Sequence, residues 1–181
     1  ACLGPQGSFS EQAGYEHFGH FISNVYCDSF DEVFRSVEAG QADVGIVPVE
    51  NSTEGAVNRT LDLLLNSPLK VLGEHSVNIH HNLLTKSGNL DGVTKVMAHP
   101  QALAQCQSWL MRNHPELSRE PASSNAEAAR LASEQDDVAA IASISAAMVW
   151  GLSVVEKGIQ DDPHNRTRFL TIGNIEPLAS G

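Results

Sequence analysis

The sequence predicts an α/β fold in two lobes, built mainly on parallel sheet. Three observations carry this. Short apolar, strand-like runs alternate with helix-spaced segments along the whole chain. Three Ser-x-x-Glu capping boxes, at Ser8–Glu11, Ser29–Glu32 and Ser124–Glu127, each open a helix. A long extended stretch, Leu69 to Leu84, alternates at Val77, Ile79 and His81 and is long enough to carry the chain from one lobe to another.

In order, Ala1 to Leu3 starts a strand, and Gly4-Pro5-Gln6-Gly7-Ser8 turns out of it into a helix reaching about Phe18. Val25 to Cys27 is the next strand. Phe30, Val33, Phe34 and Val37 follow helical spacing after the second capping box, and Gly40 stops that helix. Val44 to Val49 reads as a buried strand, Glu50 to Gly55 as a polar loop, and Leu61, Leu64 and Leu65 as a helix. Val93 to Ala98 is a strand. His99-Pro100 opens a helix to about Asn113, since Pro suits the first helical position and keeps the residue before it out of helical geometry. Ser124 opens a helix to about Ser133. Then follow a strand at Val138 to Ala142, a helix from Ile144 to Trp150 closed by Gly151, and a strand at Leu152 to Val155. A polar loop runs from Gly158 to Asn165, and Arg168 to Ile172 is the final strand. This order suggests a first lobe of about 1–75 plus 161–181 and a second of about 76–160. The chain would cross twice, leaving a cleft lined by both lobes.

Charge narrows the function. With 22 acidic and 11 basic residues the formal net charge is −11. Nucleic acid and anionic membrane surfaces need a basic face, so neither is expected as a partner. A small anion is still admissible, because backbone N–H groups at helix N-termini hold carboxylates whatever the net charge. No apolar run approaches transmembrane length. Cys2, Cys27 and Cys106 are odd in number and unpatterned, and no stretch reads as a signal peptide; together these suggest buried reduced thiols in a cytoplasmic protein. The tail Glu176-Pro177-Leu178-Ala179-Ser180-Gly181 reads as linker, as though the chain were cut from a longer protein.

In open α/β sheets ligands sit beyond strand carboxyl ends, at helix N-termini. Gly4–Ser10, Glu50–Gly55, His99–Gln101 and Ser123–Asn125 fit that address. The first fits neither the dinucleotide fingerprint nor the P-loop, and on its residues alone it is a strand-to-helix turn with a Ser cap. Ser124 alone is likewise an N-cap. His99 is a ligand, an acid or, more commonly before Pro, a cap. The histidines have no metal spacing: His80 and His81 are adjacent and face opposite ways, and His17, His20 and His114 read as surface. No nucleophile elbow is present. Thr167 opens a strand between Arg166 and Arg168, and alternation sets its hydroxyl on the face opposite both arginines.

Several motifs, taken together, resemble the prephenate dehydratase catalytic domain. They are Gly4-Pro5-Gln6-Gly7-Ser8-Phe9-Ser10, Gly40-Gln41-Ala42-Asp43, Val47-Pro48-Val49-Glu50-Asn51-Ser52 with Gly55, and His99-Pro100-Gln101-Ala102-Leu103 with Gln105-Cys106. Asn165-Arg166-Thr167-Arg168-Phe169 completes the set, and the matches run in family order to about Gly173. The resemblance implies two α/β lobes similar to periplasmic binding proteins, with the active site between them. It implies conversion of prephenate to phenylpyruvate with loss of water and carbon dioxide, without cofactor or metal, in phenylalanine biosynthesis. Thr167 becomes the principal catalytic residue. Ser8, Phe9, Asn51, Ser52, Thr53, Arg168 and Phe169 are implied around the substrate, with His99, Gln101 and Ser124 from the second lobe. A homodimer is expected from the family alone. Two positions depart from the pattern: Ala98 stands where Ser often precedes His-Pro, and Trp150 where Tyr is common. The family's phenylalanine-sensing ACT domain is expected after Gly181. Arogenate dehydration and a non-catalytic small-anion binding module are the competing readings. A sister decarboxylase that keeps the hydroxyl lacks the Thr-Arg-Phe signature.

Overall fold

The computed structural model describes residues 1–174, so the linker expected at residues 176–181 lies outside the described residues. Two compact units divide the chain. The first holds residues 1–5, 9–78 and 166–174; the second holds residues 6–8 and 79–165. The chain therefore passes between units at four points, because the short segment 6–8 packs with the second unit.

The first unit runs β1 (Cys2–Leu3), α1 (Phe9–Phe18), β2 (Tyr26–Cys27), α2 (Phe30–Glu38), β3 (Val44–Asn51), β4 (Gly55–Ala56), α3 (Asn58–Asn66) and β5 (Lys70–Asn78). The second follows with β6 (Asn82–Thr85), β7 (Lys95–Ala98), α4 (Pro100–Gln105), α5 (Gln107–Asn113), β8 (Ser118–Pro121), α6 (Asn125–Glu134), β9 (Val138–Ala142), α7 (Ile144–Trp150) and β10 (Ser153–Glu156). The last strand, β11 (Arg166–Gly173), returns to the first unit.

Both sheets are mixed rather than mainly parallel, which corrects the sequence expectation. The first has the order β2-β1-β3-β11-β5, with β4 paired to β3. β1 is parallel to β2 and β3, whereas β11 is antiparallel to both β3 and β5. The second has the order β10-β6-β9-β7-β8. β7 is parallel to β8 and β9, whereas β6 is antiparallel to β9 and β10. The reason is the same in each. A strand–helix–strand crossover, β3-α3-β5 or β9-α7-β10, makes two co-directional strands, as helix crossovers do. The first strand arriving from the other unit then inserts between them, running the opposite way.

Local chemistry sets the ends. Ser29 Oγ accepts from Glu32 N at 3.2 Å, and Glu32 reaches back to Asp28 N at 2.7 Å, so α2 is capped from both directions. Glu11 is turned inward, where its carboxylate accepts the hydroxyls of Tyr15 and Tyr26. The helix expected from Pro100 to Asn113 is split at Cys106, whose φ and ψ of −111° and 9° interrupt the helical run. β8 has no apolar alternation and was missed by the sequence reading; it is an edge strand ending at Pro121.

In the first unit Val33, Phe34 and Val37 of α2 pack with Val47, Leu69 and Ile172. The second sheet is covered on both faces, by a cluster including Leu83, Val96, Leu110 and Ile141 and by one rich in alanines of α6, β9 and α7. Ile159, inside the expected polar loop, is fully enclosed in the first of these. Cys2, Cys27 and Cys106 are buried free thiols. Among the described residues no helix is long and apolar enough to cross a membrane. Because Ile159 carries its loop into the core, Ile159→Ala is expected to cost about 2–5 kcal/mol in urea denaturation. Met148→Ala, at a side chain left 74% exposed, is expected to stay within about 0.5 kcal/mol.

Candidate active site

Antiparallel register brings together the candidate residues of the first unit. Thr167 lies directly opposite Asn51 on β3 and Val77 on β5, so it enters the sheet with a partner strand on either side. Both polar residues are buried. Asn51 Nδ2 donates to Thr167 Oγ1 at 2.8 Å. The other end of that amide is pinned: Asn51 Oδ1 accepts from Thr53 N at 3.0 Å, Glu54 N at 3.2 Å and Thr53 Oγ1 at 2.5 Å. Backbone N–H groups only donate, so the amide is held with its oxygen toward the turn and its NH₂ toward Thr167.

The turn itself explains Ser52-Thr53-Glu54-Gly55. The chain reverses so that Gly55 pairs with Asn51, and Gly55 takes φ 83°, the left-handed conformation that three-residue hairpin loops need. Asn51 folds the loop as an Asx-turn. Ser52 closes the open end of the ladder: its N donates to Arg166 O at 2.8 Å, and its Oγ accepts from Arg166 N at 2.9 Å. Ser52 and Thr53 thus hold Asn51 and β11 in place.

β11 alternates as expected. Thr167 and Phe169 are buried on one face while Arg166 and Arg168 are exposed on the other. Arg168 is therefore not brought beside Thr167; its guanidinium sits 3.0 Å from Glu50 and 3.8 Å from Glu74. Phe169 shares the Thr167 face, but it is enclosed, 2% exposed. Phe9 begins α1, the helix following β1, whose carboxyl end shares an edge of the sheet with Asn51 and Thr167.

In the second unit the candidate residues gather along one sheet edge. α4, α6 and α7 follow the carboxyl ends of the parallel strands β7, β8 and β9. His99 caps α4, its Nδ1 accepting from Gln101 N at 3.3 Å. Ser124 caps α6, its Oγ accepting from Glu127 N at 3.0 Å. Asn125 Oδ1 accepts from His99 N at 2.9 Å and ties the two starts together. Ser8 reaches the same edge, because Gly7 is bonded to Ser143 at the start of α7. Among the described residues no group of three or more His, Cys, Asp or Glu is placed to hold a metal ion.

The chain matches the family described as prephenate dehydratase over residues 1–177. It is 53% identical to a bifunctional chorismate mutase/prephenate dehydratase of Neisseria gonorrhoeae, over all of this chain and 51% of that protein. The chain belongs to the prephenate dehydratase family. It is also 40% identical to arogenate dehydratase/prephenate dehydratase 2 of Arabidopsis thaliana, over all of this chain and 47% of that protein. The crystal structure of a prephenate dehydratase from Arthrobacter aurescens in complex with L-Phe superposes with a TM-score of 0.89 at 33% identity, covering 99% of this chain and 61% of that one. The chain spans about half the length of the curated relatives it matches.

Sequence reading missed a buried polar cluster just before this family's Thr-Arg-Phe segment. Asn165 Nδ2 and His81 Nε2 both donate to Gln105 Oε1, at 3.1 and 2.8 Å. Asn165 O accepts from Ile79 N at 2.9 Å, and His81 N donates to Gln160 Oε1 at 3.0 Å. One side chain of α4 thus receives both segments at which the chain enters and leaves the second unit. Nothing in the local pattern marks it, since His81, Gln105 and Asn165 are 24 to 84 residues apart. Burial, the largest influence, holds the His81 pKa below its ordinary 6.5, although the bond to Gln105 opposes the shift. A base depressed in the folded state contributes its full stability above 6.5 and loses it as pH falls toward the folded value. Thermal midpoints are expected to fall between about pH 7.5 and pH 5.5, with a shallower fall in His81→Gln.

Proposed function

We propose that this chain dehydrates and decarboxylates prephenate to phenylpyruvate, with Thr167 assisting departure of the ring hydroxyl. The supporting observation is the fixed Asn51 amide. Because Asn51 donates to Thr167 Oγ1, the threonine oxygen is an acceptor in that bond, and its own proton is directed elsewhere. A hydroxyl so oriented is a preorganised donor. Prephenate loses its ring carboxylate as carbon dioxide, the electron pair of that carbon–carbon bond enters the ring, and the opposite carbon–oxygen bond breaks. Thr167 donates to the leaving oxygen as negative charge develops there, and solvent protonates the departing hydroxide. The drive to aromatise supplies much of the driving force, so neither a strong base nor a metal is required of the protein. Preorganised donors aimed at developing charge are the larger part of such catalysis.

The remaining carboxylate and the pyruvyl side chain need neutral donors, which Ser8, Gln101, Ser124 and His99 supply in this proposal. Ser52 and Thr53 act through Asn51. Arg168, turned toward Glu50 and Glu74, supports the strand without touching substrate in this reading, and buried Phe169 anchors the strand two residues beyond Thr167. Arogenate, which differs by an amine for the keto oxygen, is the second substrate to assay, because the Arabidopsis relative is named for both. A homodimer in the cytosol completes the proposal; sedimentation velocity checks the oligomeric state.

The deciding experiment is product analysis with the purified chain and prephenate at neutral pH. Phenylpyruvate is expected, with Thr167→Ala lowering kcat about 10²–10⁴-fold and Thr167→Ser retaining appreciable turnover. Prephenate recovered unchanged but bound would favour the anion-binding module. Asn51→Asp keeps the acceptor for the turn and removes the donor to Thr167. It is expected to fold with a near-parental melting midpoint and to lose at least about tenfold in kcat. Parental turnover in Asn51→Asp would sink the assigned role of the amide.

A further inference from the structure

The turn Gly4-Pro5-Gln6-Gly7-Ser8 belongs to no helix or strand, yet Gly7 is buried. What holds it comes from 136 residues away: Ser143 Oγ donates to Gly7 O at 2.9 Å. Ser143 is itself 3% exposed. Its oxygen is already in use as the cap of α7, accepting from Ala146 N at 3.0 Å. One hydroxyl therefore does two separable things, accepting as a helix cap and donating to the turn. Gly7 fits the same contact sterically. Its φ is 87°, and a Cβ there would stand 2.8 Å from Ala146 Cα, so the turn's backbone lies flush against the first turn of α7.

We propose that Ser143 is a positioning residue for substrate binding: by holding the Gly7 carbonyl it fixes the Ser8 turn. The inference rests on the prephenate reading, which gives Ser8 a substrate contact, and goes beyond it by naming what places that contact. A bond from the α7 cap restrains Gly7, one residue before Ser8. Without it, Ser8 keeps its chemistry but its position is less restrained, and part of the binding energy goes into ordering the turn.

The two roles of the hydroxyl can be separated by substitution. Ser143→Asp keeps a good cap acceptor and cannot donate to Gly7. Ser143→Thr keeps both roles, and Ser143→Ala loses both. The readouts are kcat and KM for prephenate, the melting midpoint, and amide hydrogen exchange at residues 6–9. Ser143→Asp is expected to speed exchange at residues 6–9 and to raise KM roughly five- to tenfold with kcat near parental; its melting midpoint falls, because a buried carboxylate then faces the Gly7 carbonyl. Ser143→Thr should match the parent. Ser143→Ala should show the same KM rise with a lowered melting midpoint, and it carries the KM test if the Asp variant does not fold. Parental KM in both Ser143→Asp and Ser143→Ala overturns the proposal, even if exchange quickens or the melting midpoint falls. A parent chain without turnover defeats the prephenate reading instead; the exchange rates then still show whether Ser143 holds the turn, and parental exchange in Ser143→Asp overturns the anchor.

Discussion

The antiparallel register that sets Thr167 of β11 against Asn51 of β3 is the constraint on which the site depends. It makes the 2.8 Å amide–hydroxyl bond possible between residues 116 apart. It also explains the company those residues keep. Gly55 exists to reverse the chain immediately beyond Asn51, Thr53 and Glu54 offer N–H groups to the amide oxygen, and Ser52 clasps Arg166. The Asn51 oxygen is bonded within the turn and its NH₂ to Thr167 on β11, which is how a buried amide is kept without the penalty of an unmet group. The irregularity in pairing after Arg168 lies beyond the pair and leaves it in register.

The same construction recurs in the second unit with different contents. β6 inserts antiparallel beside β9 as β11 does beside β3, and in each case the inserted strand is the first after a passage between units. Helix starts then line the carboxyl edge of the parallel strands, each with a capping side chain: His99 for α4, Ser124 for α6, Ser143 for α7. A chain with net charge −11 therefore offers neutral donors and helix amides along this edge. The arginines flanking Thr167 point away from it, and Arg168 is engaged by two carboxylates at the surface, an arrangement that is screened by solvent and adds little to stability.

Ser143 and Gln105 show polar side chains holding distant segments of the chain. Neither belongs to the strand that bears Thr167, yet one restrains the turn that bears Ser8 and the other receives Asn165, two residues before Thr167. Both are buried or half-buried groups in networks, where a missing partner costs more than an exposed hydrogen bond contributes.

By itself the sequence determined what depends on near neighbours. Capping at Ser29 and Ser124, the Gly151 stop after Trp150, the period-2 burial of Thr167 and Phe169, and the polar turn after β3 follow from local hydrogen bonding and side-chain direction, and the sequence shows them. The family followed as well, because its motifs are short and in order. Tertiary structure decided what depends on which strand lies next to which. Alternating strands and helices dictate parallel pairs, but not that β11 and β6 would insert between them, since an inserted strand obeys the same local pattern as any other. Nor does local pattern say that Ile159 enters a core, that Gly7 meets α7, or that His81 and Asn165 share one glutamine. Those are pairings across tens to more than a hundred residues, fixed by packing and by the need to satisfy buried polar groups, and no residue's immediate neighbours carry that information.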